Sequence, residues 1–187
     1  MDSKKSTFIT TYTGQEFHPF APDFKAIDIV DIAHSLSQMV RWNGHTTVPY
    51  SVGAHSIQAA RRAQTYTTDR DEVLAALLHD ASEAYFADVP TPIKIYLPDI
   101  KEMEHGIQRA VEKAFNLEEG MTECDTVKKV DRDCLLFEAQ HILNKAPDRL
   151  LKPTIEPVSN TMDSPDYNKP VSQLAIRKMF LDMFYSL

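Results

Sequence analysis

The stretch Val73-Leu74-Ala75-Ala76-Leu77-Leu78-His79-Asp80-Ala81-Ser82-Glu83 decides the reading of this chain. Val73, Leu74, Leu77 and Leu78 recur at three- and four-residue spacing, the mark of an amphipathic helix. Asp69 or Asp71 stands where an N-cap belongs. The same pattern carries on through His-Asp-Ala-Ser-Glu-Ala-Tyr-Phe, so the helix is expected to continue until Asp88 and Pro90 stop it. At its end an adjacent His and Asp follow the apolar face. Side chains at i and i+1 point about 100° apart on a helix. They meet only at a point close to the helix edge, and a metal ion is such a point. Imidazole nitrogen and carboxylate oxygen together suit borderline and hard divalent ions. Taken alone, a His-Asp pair is more often a surface His beside a capping Asp.

On either side the chain reads as further helices. Ile29, Ile32, Leu36, Met39 and Val40 predict a helix from Asp28 to about Val40. RWNGHTTVPY, residues 41–50, carries Asn-Gly and Pro and reads as a loop. Ser51 is placed to cap a helix reaching about Gln64. After Pro90, TPIKIYLP is a proline-bounded crossing segment. Ile100 to Phe115 and Thr122 to Leu143 predict two more helices, and VSQLAIRKMFLDMFYSL a last one. Residues 146–169 hold four prolines and read as a loop. Residues 1–27 show scattered aromatics without a period. With no alternating apolar pattern and no repeat, the expected class is all-α. The expected organisation is one domain: an irregular arm at 1–27, a helical core at 28–145, and a loop with a C-terminal helix at 146–187 packed on the same body.

Composition narrows the function. The 187 residues fit one domain, and 43% hydrophobic with 25% charged is ordinary for a globular protein. A net charge of −7 argues against nucleic acid or an anionic membrane as main partner. It leaves room for an anionic small molecule, because a bound metal and a few cations can reverse the field in one pocket. No stretch reaches the roughly 18 apolar residues of a membrane span, and MDSKKSTFIT has no apolar secretory core. Cys124 and Cys134 form neither a disulfide framework nor a metal-ligand spacing. The chain therefore reads as cytoplasmic.

Three more residues join His79 and Asp80 as candidates. His55 lies mid-helix among Ala54, Ala59 and Ala60, small residues that let two helices approach. Asp131 lies on the stripe Val127, Asp131, Cys134, where a carboxylate is costly unless paired or bound to a cation. Lys128 could supply such a pair, and Asp133 competes for the same role between Val130 and Phe137. Glu83, one turn after His79, is expected on the same face, where a carboxylate can act as general base or orient water. His18, His34, His45, His105 and His141 read as structural or surface groups.

His55, then His79-Asp80, then Asp131 resembles the H…HD…D order of the HD phosphohydrolases. RWNGHTTVPYSVGAHS, LLHDASEAYFADVPTPIK and VKKVDRDCLLFEA further resemble three blocks of the small 5′-deoxynucleotidase branch, over roughly residues 10–143. That branch includes bacterial deoxynucleoside monophosphatases and phage dATP triphosphohydrolases associated with diaminopurine genomes.

The resemblance implies an all-α HD fold, and one divalent ion (Zn, Co, Mn, Ni or Fe) on His55, His79, Asp80 and Asp131, whose bound water attacks phosphorus. It selects Asp131 over Asp133 and gives Glu83, with Asp80, the catalytic role. It makes Arg41 a phosphate contact, Trp42 the bulk that disfavours a 2′-hydroxyl, and Asp88 the partner of the 3′-hydroxyl. Lys94 and Lys128 become candidates for phosphate oxygens. It further implies a homo-oligomer, a dimer or hexamer, in a bacterial or phage-infected cytoplasm. With Arg41, Lys94 and Lys128 as three cations, the leading expectation is dATP triphosphohydrolysis. The alternative is a deoxynucleoside 5′-monophosphatase. A nucleotide-binding HD module without turnover is disfavoured, since all four ligands and Glu83 are present.

Overall fold

Side-chain caps start most of the long helices. Asp28 accepts from Val30 N–H ahead of α1 (Ile29–Gln38), and Ser51 from Ala54 N–H ahead of α2 (Val52–Ala63). Asp69, rather than Asp71, accepts from Asp71 N–H ahead of α3 (Arg70–Leu78). Ser172 caps α7 (Gln173–Ser186) in the same way. Each satisfies an amide that has no partner inside the helix. Between α3 and α7 lie the short α4 (Thr91–Lys94), α5 (Pro98–Ala114) and α6 (Asp125–His141). The proline-bounded crossing segment thus contains a helical turn. The structure, a computed structural model, describes residues 7–156 and 169–187. The first six residues of the expected arm, and residues 157–168 of the expected 146–169 loop, lie outside these.

The architecture is all-α. α2 lies at the centre and packs on α1, α3, α6 and α7. Ile32, Leu36, Ile57, Leu77, Ile107, Ile142 and Phe180 fill the interior between the helices. Helix α7 crosses α1 and α2 and contributes Ile176 and Phe180 to that core. In the N-terminal segment, β1 (Ile9–Thr10) and β2 (Glu16–Phe17) form a small antiparallel hairpin. The sequence showed no strand pattern there, because two residues per strand are too few for a period of two to register. Phe17 is fully buried and stacks on Tyr85 with ring centroids 4.1 Å apart, which pins the hairpin to the body.

The third helix does not run on through the His-Asp pair. It ends at Leu78, and Asp80 leaves helical geometry (φ −100°, ψ 13°) before a 3-10 turn over Ala81–Tyr85. The buried Gln108 of α5 accounts for the break. Its Nε2 donates to Leu78 O (2.9 Å), and its Oε1 accepts from Ser82 N–H (3.1 Å). These two bonds stand in for helical ones that the pattern of apolar residues cannot report. The periodicity continues past Leu78 only because both the helix and the 3-10 turn bury one face. Glu83 consequently does not share a helix face with His79.

Helices α1 and α2 approach closely at Gly53. A Cβ there would lie 3.2 Å from both Leu36 C and Ser37 N, and 3.1 Å from Ile176 Cγ2. Two of these atoms are backbone and cannot rotate aside. Ala is worth about 1 kcal/mol over Gly inside a helix, whereas overpacking of this kind costs about 1–3 kcal/mol. Gly53→Ala is therefore expected to lower the thermal unfolding midpoint, and an unchanged or raised midpoint in calorimetry would refute the close approach.

Candidate metal centre and cleft

Two histidines meet head-on at the junction of α2 and the α3 break. His55 Nε2 and His79 Nε2 are 3.1 Å apart. The far nitrogen of each is already committed. His79 Nδ1 donates to Ala76 O at 2.8 Å, and a carbonyl can only accept. His55 Nδ1 lies 2.6 Å from Glu138 Oε1. Glu138 is completely buried, yet Arg41 and His55 beside it hold it below the ordinary carboxylate range against the effect of that burial. It is therefore ionised, and His55 Nδ1 is its donor. In their neutral forms both rings thus turn Nε2 lone pairs toward the same point.

Carboxylates approach that point from beside His79 and from α6. Asp80 Oδ2 lies 3.5 Å from His55 Nε2 and 3.4 Å from His79 Nε2. Asp131 Oδ1, on α6, lies 3.2 Å and 3.7 Å from the same two nitrogens. Ligands on one ion with bonds of about 2.0–2.2 Å are separated by about 3.0–3.5 Å in octahedral or tetrahedral arrangement. His55, His79 and Asp80 each bring one donor atom within 4.8 Å of the others, which fits one divalent cation in chemistry and spacing, and Asp131 Oδ1 stands beside both rings outside that set. Without a cation the carboxylates hold protons on the rings instead. Burial and Arg41 lower the His55 pKa, but Glu138 and Asp131 outweigh them and raise it to about 9. Against partial burial, the donors on His55 and His79 hold Asp131 well below the usual range. A cation would replace those protons.

Asp80 and Asp131 open into a cleft of about 650 Å³, within the range of small-molecule sites. Arg41, Trp42, Glu83, Asp88 and Lys94 also line it. The loop bearing Arg41 and Trp42 is fastened at both ends: Arg41 N–H donates to Tyr50 O, and Thr47 N–H to Ile142 O at the end of α6. Within it Trp42 (φ 55°) and Asn43 (φ 48°) adopt left-handed backbone. That conformation is costly for a bulky aromatic and collects at functional sites. Arg41 donates from Nε to Glu138 Oε2 (3.1 Å) and from Nη1 to Asp80 Oδ2 (3.3 Å).

Glu83 is buried, and its Oε2 has no hydrogen-bond partner among the described residues. Burial first, then the negative charges of Asp80 and Asp88, push it up to about 10. Burial and Asp80 also raise Asp88.

Some expectations separate here. Lys94 lines the cleft, but its Nζ is 2.6 Å from Glu104 Oε1. Lys128 is exposed on α6 and is not among the residues lining the cleft. Asp133 accepts from Tyr66 Oη at 2.8 Å and faces Lys129, away from the histidines. His45 is exposed and lines the cleft. Cys124 and Cys134 are free thiols. Two unassigned residues matter. Gln108 builds the break that turns His79 and Asp80 inward. Glu138 ties His55 to Arg41 and Trp42. Its signal was present, since it follows Asp131 by seven residues, two turns along one face, and interrupts the apolar run Leu135-Leu136-Phe137.

The family described as 5′-deoxynucleotidase YfbR-like, of the HD superfamily, matches residues 29–123, about half of the chain. This chain belongs to that family. His55, His79 and Asp80 fall inside the matched residues, and Asp131 and Glu138 beyond them. YfdR of Escherichia coli K12, an uncharacterised protein, is 36% identical over 111 residues, 59% of this chain and 60% of YfdR. An uncharacterised protein of Rhodobacter capsulatus is 37% identical over 111 residues, 56% of each chain. This chain thus spans less than two thirds of the length of either relative. No helix among the described residues is long and apolar enough to cross a membrane.

Proposed function

We propose that this chain is a metal-dependent phosphohydrolase of 2′-deoxynucleotides, with a 5′-monophosphate as preferred substrate. One observation carries the reading: His55, His79 and Asp80 cluster at metal-holding distance, with Asp131 beside both rings, at the wall of a cleft of about 650 Å³. A divalent ion held by His55, His79, Asp80 and Asp131 would supply Lewis acidity, polarising a phosphoryl oxygen and a water. Zinc, cobalt, manganese, nickel and iron(II) all suit the mixed N/O donors. Arg41 positions phosphate oxygens through its planar fork. Trp42 sets a rigid wall against the sugar, and Asp88 takes the 3′-hydroxyl. Glu83 holds or accepts the proton of the attacking water.

The family description supports the monophosphate, and so does the cation count. A triphosphate chain calls for cations beyond the ion, yet Arg41 faces Asp80 and Glu138, Lys94 faces Glu104, and Lys128 does not line the cleft. Arg149, from the turn Asp148–Leu150, does line it and favours the second reading, dATP triphosphohydrolysis. A panel of dAMP, dATP, AMP and ATP, with phosphate, triphosphate and nucleoside measured separately, distinguishes them. We expect dAMP to give phosphate fastest and both ribonucleotides to be poor. Inorganic triphosphate from dATP at the higher rate would replace the first reading by the second. Trp42→Ala is expected to narrow the deoxy-to-ribo ratio by about 10- to 200-fold, chiefly by admitting the ribonucleotide. An unchanged ratio removes Trp42 from sugar selection.

A further inference from the structure

One buried carboxylate serves both halves of the proposed site. Glu138 has no exposed surface. Its Oε1 accepts from His55 Nδ1 at 2.6 Å, and its Oε2 accepts from Trp42 Nε1 at 2.8 Å and from Arg41 Nε at 3.1 Å. Three donors from two separate segments thus converge on one side chain. We propose that Glu138 is a positioning residue that sets the tautomer of the metal-binding His55 and, through the same group, the pose of the Arg41-Trp42 loop that reads the nucleotide. This rests on the metal site proposed above.

The chemistry follows from the donors. With Nδ1–H committed to Glu138, the neutral His55 ring that binds a metal carries its lone pair on Nε2, toward Asp80, His79 and Asp131. Partners of this kind orient a ligating imidazole and raise its basicity. On the other oxygen, the indole N–H fixes the Trp42 ring, and the bond from Arg41 Nε fixes the plane of the guanidinium. Both matter because the Trp42 backbone is left-handed (φ 55°), a costly conformation for a bulky aromatic.

An amide cannot replace the carboxylate. In Glu138→Gln, the amide turned one way would offer its oxygen to Trp42 and Arg41 and its NH2 to His55. Nδ1 would then have to accept, which moves the ring proton to Nε2 and removes the lone pair from the metal side. Turned the other way, the amide oxygen still accepts from His55 while the NH2 faces two donors. Glu138→Gln must therefore damage one function or both, whereas residues confined to one function damage only that one.

The test measures zinc affinity of the full chain by competition with a chromophoric chelator, for wild type, Glu138→Gln, Glu138→Asp and His79→Ala, with a thermal melt for each. The dAMP-to-AMP rate ratio is then taken at saturating zinc. Glu138→Gln is expected to bind zinc about 10- to 100-fold more weakly and also to narrow the dAMP-to-AMP ratio. Glu138→Asp keeps the charge but withdraws both oxygens by one methylene, so it is expected to show smaller losses of the same two kinds. It carries the test if Glu138→Gln does not fold. Zinc affinity and substrate ratio both at wild-type values, with only the melt lowered, overturn the inference: Glu138 is then a structural residue. If His79→Ala also binds zinc as wild type does, the metal site itself falls, a failure distinct from that of Glu138.

Discussion

His79→Ala is expected to yield a folded protein that no longer retains zinc or cobalt at one ion per chain and releases phosphate at least about a thousandfold more slowly. The size follows from what the ion contributes. Lewis-acid stabilisation of phosphoryl transfer is worth several kcal/mol, and each 1.4 kcal/mol is about a factor of ten in rate. Loss of Nε2 leaves one imidazole and two carboxylates. That set holds an ion more weakly, because it loses one ligand and Asp80 and Asp131 lose the His79 ring against which both stand. The fold should survive, since His79 follows the last residue of α3 and makes one local bond through Nδ1, to Ala76 O. Asp133→Ala is the matched control. Asp133 sits two residues from Asp131 on α6 but bonds Tyr66, and its loss should leave metal content unchanged. Metal analysis of the purified proteins, with phosphate release on dAMP, reads both. Equal metal content and equal turnover in His79→Ala and wild type would sink the assignment of the centre.

Much of this site was legible because its residues fall on periodic elements. His55 and Asp131 each sit on a helix whose apolar spacing fixes where the side chain points, and Ser51 and Asp69 announce the helix starts. The fold class follows from the same spacing. What periodicity could not carry was geometry between elements. The break after Leu78 depends on Gln108, thirty residues away, so a pattern read along α3 runs straight through it. Lys94 and Lys128 looked alike as cations in sequence. Only packing gives one a place on the cleft and a Glu104 partner and leaves the other on the outer face of α6. Glu138 was hidden for a different reason. A carboxylate in the apolar run Leu135-Leu136-Phe137 gains meaning only when three donors arrive from α2 and the 41–50 loop. The same long-range dependence leaves the number of phosphates undecided by sequence, because it turns on how cations are paired across the cleft.

Glu83→Gln is expected to lower turnover by at least about a hundredfold, the usual weight of a positioned general acid–base group, while metal content stays at the wild-type level. Glu83 is 5% exposed, and its Oε2 is without a partner among the described residues. A buried acceptor left unsatisfied costs about 1–3 kcal/mol, an arrangement that persists where a ligand or water completes it. Burial and the charges of Asp80 and Asp88 raise its pKa to about 10, so at neutral pH the carboxyl carries a proton in the metal-free protein. A cation at Asp80 cancels part of that repulsion and moves the pKa down toward the working range, where a group can both take and return a proton. Gln matches Glu in volume and still bonds water, but it cannot titrate. Comparison with Glu83→Ala therefore separates proton transfer from orientation. If both variants fall together, the proton is what matters. If Gln retains activity within a few-fold while Ala does not, Glu83 only orients the water. If both stay within a few-fold of wild type, Glu83 has no part in the reaction and the base must be sought elsewhere among the cleft residues, with Asp88 first.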